Sequence, residues 1–153
     1  MEQKEYYAER AKSLFMNGCN CAQAVLCAFE DVTHLPAQTA ARVAGGFGGG
    51  IGRMREVCGA VSGAVMVLGL VTGCDDPKDA QAKAAHYADV QEFARRYREE
   101  TGSIICRELL QGVPTAPGSV PEARTEGFYK KRPCAELVAL AAGIVADMLQ
   151  TKA

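Results

Sequence analysis

Apolar residues recur at three- and four-residue spacing along almost the whole chain, and no segment alternates as a half-buried strand would, so the pattern predicts an all-α fold. A first helix is predicted over residues 3–16, with Tyr7, Ala11, Leu14 and Phe15 on its inner face. Gly18 stops it, and Asn20 caps a second helix over about residues 21–31. Pro36 opens a short third helix that ends at Gly45. The run EVCGAVSGAVMVLGL, residues 56–70, reads as part of a buried central helix that continues to about Thr72. Its glycines, Gly59, Gly63 and Gly69, stand out, because glycine inside a helix costs about 1 kcal/mol relative to alanine.

CDDPKDA predicts the next start, with Asp76 as cap, Pro77 at the first position and Asp79 in the first turn. This helix runs to about Thr101, with Tyr87, Val90, Ala94 and Tyr97 inward and Arg95, Arg96, Arg98 and Glu99 mostly outward. Gly102 ends it, Ser103 caps a short helix, and an apolar helix begun by Pro133 closes the pattern. Residues 112–133 hold four prolines and three glycines and read as an irregular loop, a length that in a compact domain signals either disorder or function, often as a lid. The expected architecture is a single domain over residues 1–153, a compact bundle of about six to seven helices around the glycine-containing apolar helix, with no internal repeat.

At 153 residues and 48% hydrophobic content, the chain is long enough for one core. A net charge of −1 gives no electrostatic case for nucleic acid or an anionic membrane. MEQKEYYAER is charged from its second residue and has no apolar centre, so it reads as neither signal peptide nor anchor, and a cytoplasmic location is expected. The apolar run over residues 57–74 approaches the length of a membrane span, but Gly, Ser, Thr and Cys dilute it and no second such run is apparent; a core helix is the better reading.

Seven cysteines change the picture: Cys19, Cys21, Cys27, Cys58, Cys74, Cys106 and Cys134. In a reducing compartment such enrichment points to metal binding or redox chemistry more than to structural disulfides. On the predicted map Cys21, Cys58, Cys106 and Cys134 all fall at or near helix N-termini, where the dipole and unpaired N–H groups favour a thiolate, the species that attacks disulfides and binds metals. Cys27 is mid-helix and Cys74 lies at a helix C-terminal side, so both read as small buried hydrophobes; Cys19 can reach wherever Cys21 reaches. No C-x-x-C occurs, so a zinc ribbon, a thioredoxin-type dithiol and covalent c-type haem all lack their signatures, and any metal site must be assembled from distant helices.

The tract GGFGGGIG, residues 45–52, carries six glycines and fits neither a dinucleotide fingerprint nor a P-loop. Two readings stand: a flexible connection, or close backbone approach in which N–H groups of Gly48, Gly49, Gly50 and Gly59 bond sulfurs of a bound cluster or thiolate. Lys130, Lys131 and Arg132 precede Cys134 and could offset thiolate charge, although such a run is more often a solvated loop. His34 and His86 have no local feature that recommends either as a base for cysteine.

CGAVSG at residues 58–63 resembles the CGAxxG signature of the C-GCAxxG-C-C family of redox-active proteins. NCAQAVL at 20–26, the glycine tract, GSIICRELL at 102–110 and CAELVALAAGIV at 134–145 extend the resemblance over nearly the whole chain. The family is marked by four shared cysteines, which fall on Cys21, Cys58, Cys106 and Cys134, the set that helix starts select. The resemblance implies a redox or metal role. A similar domain in the iron–sulfur part of split-Soret cytochromes implies an iron–sulfur cluster of the [2Fe-2S] kind.

Three functions follow as expectations: an electron-transfer protein whose four cysteines ligate the cluster, a thiol–disulfide redox protein using the same cysteines, or a non-redox helical module with structural zinc or no metal. Whether the chain is an enzyme is left open at this level. The expected partner is a protein that exchanges electrons or thiols, with a homodimer as a further expectation.

Overall fold

In the computed structural model, which describes residues 2–152, the amphipathic start of the chain forms α1 (Gln3–Met16), burying Tyr7, Ala11 and Phe15. Asn20 then caps α2 (Cys21–Ala28) with a full capping box: its side chain accepts the N–H of Gln23, and the Gln23 side chain accepts the N–H of Asn20. The second predicted helix breaks at Phe29, beyond which one turn, α3 (Glu30–Thr33), ends at His34 in the left-handed conformation. Pro36 precedes α4 (Ala37–Gly45) as its cap.

The apolar helix α5 (Gly59–Thr72) starts three residues later than the reading from 56. Residues 56–58 run extended, because Val57 forms an isolated antiparallel bridge with Ile105, flanked by the bonds Cys58 N–H to Ile104 O (2.8 Å) and Cys106 N–H to Glu56 O (2.6 Å). Gly59 is therefore the first residue of a helix rather than an interior one. Helix α6 (Ala80–Thr101) starts later than Asp76 and Pro77 predict. Asp79 is the cap, bonding the Ala82 N–H, while Asp76 accepts the Lys78 N–H in the preceding turn. One-turn α7 (Cys106–Leu109) has Ile105 at its cap position, and the Ser103 hydroxyl bonds the Ile105 N–H instead. Residues 112–133 are not wholly irregular: Thr125 caps α8 (Glu126–Lys131). The chain ends in α9 (Cys134–Lys152). Nine helices and no strand are found among the described residues, two more than the upper sequence count because α3 and α8 carry little periodic signal.

Helix α2 packs against α1, α4, α5 and α9, while α1 lies along α9 and α6 covers α5 and α9. Leu26, Phe29, Leu68, Phe93, Tyr97, Val138 and Val145 form the fully buried core. Helix α5 is buried along Gly59–Leu68, where it packs on α2, α6 and α9, and its C-terminal Leu70 and Val71 are exposed. On α6, Tyr97 is buried as expected, but Tyr87 is exposed and Phe93 takes the inward place. By length and composition one helix among the described residues could cross a membrane, Cys134–Lys152 rather than α5, and 56% of its most apolar window is buried in the fold.

Candidate functional site

Gly49, Gly50, Ile51, Gly52 and Arg53 all have positive φ, between 53° and 72°, and Arg55 follows at 62°. The tract is a left-handed turn closed by Gly52 N–H to Gly46 O (2.8 Å), Arg55 N–H to Gly49 O (3.1 Å) and Glu56 N–H to Gly50 O (2.9 Å). Glycine adopts this conformation freely, whereas Ile51, Arg53 and Arg55 carry strain of about 1–3 kcal/mol each. The tract has a defined hydrogen-bonded geometry, as the close-approach reading expects. The turn also seats the neighbouring elements: a Cβ on Gly48 would stand 2.5 Å from the Asn20 amide nitrogen, and one on Gly50 would stand 2.7 Å from the Cys106 Cβ.

The cysteines are brought together by three separate contacts. The 55–58 and 104–107 segments lie side by side, which sets Cys58 beside Cys106. Helix α5 lies on α2 through its glycines, and a Cβ on Gly59 would meet the Cys21 Cβ at 3.1 Å. Helix α9 packs on α2 and α5 and opens with Cys134 beside Cys21. Cys21, Cys58, Cys106 and Cys134 consequently line one cavity of about 360 Å³. Cys21, Cys106 and Cys134 are first residues of their helices and Cys58 is the cap of α5. Gly48, Gly49, Gly50 and Gly59 line the same cavity, and the N–H groups of Gly48, Gly49 and Gly50 meet no hydrogen-bond partner among the described residues.

The four thiols differ in electrostatics. Hydrogen-bonding support from the Cys21 thiol is the main force holding Cys134 below the ordinary thiol range; burial opposes it, and the guanidinium groups of Arg132 and Arg124 assist. The same contact, with burial, drives Cys21 well above that range. Burial raises Cys58, against the Tyr97 hydroxyl, 3.6 Å from the sulfur, and the Ala60 and Val61 N–H groups, all of which favour the thiolate. Burial also raises Cys106, against Arg55, whose Nη1 is 3.9 Å from its sulfur. Among the described residues no three Cys, His, Asp or Glu side chains close on one point to hold a single metal ion. The cysteines stand around a space.

Arg53, Arg55, Arg124, Arg132 and Glu122 complete the polar lining. Glu122 Oε1 accepts from Arg132 at 2.6 Å, Arg53 at 3.2 Å and the Ala116 N–H at 3.3 Å, with Arg55 at 3.6 Å. Arg53 also bonds Gly118 O (2.6 Å) and Ala116 O (3.0 Å), tying the loop after α7 over the left-handed turn. Arg124 bonds Phe15 O and Cys19 O and stacks on Phe15 with 4.3 Å between guanidinium and ring centre.

Of the basic run before Cys134, only Arg132 lines the cavity. Cys19, Cys27, Cys74, His34 and His86 do not. Cys27 is buried as expected, while Cys74 is exposed, contrary to its reading as a buried hydrophobe, because α5 ends before it and α6 begins after it. Sequence reasoning missed Arg53, Arg55, Arg124, Glu122 and Tyr97 as lining or contact residues. The available signal was IGRMRE, where two arginines follow the glycines at alternate positions.

No curated protein and no solved structure matches the chain. Residues 19–148, which include all four cavity cysteines, match the family model described as "Putative redox-active protein (C_GCAxxG_C_C)", and the chain belongs to that family.

Proposed function

We propose that the cavity is an iron–sulfur centre of the two-iron kind, in which Cys21, Cys58, Cys106 and Cys134 are the ligands and the protein passes single electrons to a partner protein. The observation that carries this reading is the convergence of four thiols from four helix starts on one space of about 360 Å³. The donor set is all thiol, which suits iron–sulfur chemistry, and a ring of thiols around a space suits a multi-atom core better than a single zinc ion. Four arginines against one glutamate match a centre with four thiolate ligands, whose net charge is negative. The free N–H groups of Gly48, Gly49 and Gly50 are of the type that donates to cluster sulfur. When bound, such a cluster supplies a one-electron couple whose potential these donors tune. Iron and acid-labile sulfide in stoichiometric amounts after anaerobic purification, with a brown visible spectrum lost in Cys58→Ala, is the expected result. Colourless protein that takes up no iron on anaerobic reconstitution sinks the reading.

A second reading, thiol–disulfide exchange, has its own observation in Cys21 and Cys134, which open the packed helices α2 and α9 and line one cavity. Cys134 sulfur would attack a partner disulfide, releasing one partner thiolate. Cys21, losing its proton, would then displace the second, leaving a Cys21–Cys134 disulfide and a reduced partner dithiol. Mass mapping after oxidation decides between the two: a Cys21–Cys134 cross-linked peptide in iron-free protein supports exchange.

A further inference from the structure

Arg55 and Arg132 converge on Glu122: Arg55 also reaches the Cys106 sulfur at 3.9 Å, and Arg132, two residues before Cys134, lines the same cavity as that thiol. Their side chains are 15% and 7% exposed, so both charges are held largely out of water inside the cavity. Arg53 also bonds Glu122, at 3.2 Å, but it and Arg124 each hold two backbone carbonyls and so have structural work of their own. Arg55 and Arg132 make no side-chain bond to a backbone carbonyl among the described residues: Arg55 hydrogen-bonds the Cys106 sulfur and pairs with Glu122, and Arg132 hydrogen-bonds Glu122 with its guanidinium 4.9 Å from the centre of the Phe128 ring. Glu122 belongs to the loop after α7, in a segment between Gly112 and α8 that has no secondary structure of its own, so its carboxylate is an internal guest on a site built from the left-handed turn and the approach to α9.

We propose that Arg55 and Arg132 form an oxyanion-binding site beside the thiols, and that the cavity takes a small anionic ligand whose acid group replaces the Glu122 carboxylate. The ligand class is a molecule that presents two or more oxygens of one acid group, carboxylate or sulfur oxyanion, to two guanidinium groups. This extends the redox reading by naming what enters the cavity, while binding itself needs no cluster.

The test is calorimetric titration of anaerobically purified full-length protein with sodium sulfate and, separately, sodium acetate, at fixed ionic strength. Glu122→Gln removes the internal competitor and keeps its size. It is expected to bind at least one of the two anions about tenfold tighter than the unaltered protein. Adding Arg132→Met to Glu122→Gln, or Arg55→Met in a second double variant, is expected to abolish that gain, while Arg95→Met on the exposed face of α6 leaves it intact. Circular dichroism melts of each variant show that it is folded before titration. Tighter sulfate binding alone identifies an inorganic-type dianion, and tighter acetate binding identifies a carboxylate. Glu122→Gln binding neither anion more tightly, or a gain that survives in either double variant, overturns the proposal. Iron content measured in parallel keeps the two readings apart: iron-free protein that shows the gain retains the anion site and loses the cluster.

Discussion

A Cβ placed on Gly63 would stand 2.7 Å from the carbonyl oxygen of Ala22, so α5 lies against α2 backbone to backbone at the turn that follows Cys21 and Cys58. The carbonyl cannot rotate away as a side-chain tip would, because it belongs to the helix ladder. Gly63→Ala should therefore destabilise the protein by about 1–3 kcal/mol despite alanine's higher helix propensity, roughly 2–4 °C in Tm for each kcal/mol. Gly69→Ala is the contrast. Its new Cβ would meet only the His86 ring, at 3.8 Å, so the propensity gain of up to about 1 kcal/mol should survive. Equal melting temperatures for the two variants would show that the close approach is not what selects Gly63. Gly63→Leu should push the Cys21 and Cys58 helix starts apart and lose cofactor or disulfide chemistry along with stability.

The Tyr97 hydroxyl, buried on α6, lies 3.6 Å from the Cys58 sulfur and can donate to it when that sulfur is a thiolate or a ligand. Tyr97→Phe keeps the ring packing and removes that donor. Loss of one modest hydrogen bond costs about 0.5–1.5 kcal/mol, read as a small fall in Tm. A donor to a ligating sulfur also stabilises the reduced, more negative state, so the midpoint potential of a bound cluster should fall in the variant. An unchanged potential in a folded, iron-loaded variant would mean that Tyr97 only fills space.

Arg53 ties Ala116 and Gly118 to the left-handed turn through their carbonyl oxygens. Arg53→Met should release the segment between α7 and α8, while the helical core keeps its packing. Limited proteolysis reports such local opening. Cleavage within residues 112–125 should accelerate several-fold with little change in global melting. Unchanged cleavage would place the restraint in Arg124 and its stack on Phe15.

What could be read from the sequence is what local rules decide. Helix α1 follows its prediction at both ends, the Asn20 capping box and the Gly102 stop are set by residues within one turn, and the four cysteines mark helix starts. The left-handed turn could not be read, because Ile51, Arg53 and Arg55 adopt positive φ only under the pull of contacts made elsewhere. The same holds for Glu122. In sequence it is one acidic residue in a proline-rich stretch; in the fold three arginines from two distant segments reach it. Cys74 shows the converse error, since composition suggested burial and the ends of α5 and α6 leave it in solvent.

Cys134 should be the most reactive of the cavity thiols in reduced, metal-free protein. Its pKa is lowered to about 7, first by the Cys21 thiol and then by Arg132 and Arg124 against the effect of burial. The other three cavity thiols are raised. Below pH 7 Cys134 is mainly protonated and slow, and its alkylation by iodoacetamide should climb as pH rises through about 7 and level off above it. Cys21→Ala removes the leading support, and Arg132→Met removes the positive charge that contributes most, so each should move the rise to higher pH. Peptide mapping after brief alkylation at pH 7 assigns the label, with exposed Cys74 as the internal standard for access. Cys134 is half-buried and Cys74 is open, so faster labelling of Cys134 reports thiolate population rather than exposure. Labelling of Cys74 ahead of Cys134 across pH 6 to 8 would mean that the Cys21–Cys134 pair is not poised as a thiol and a thiolate.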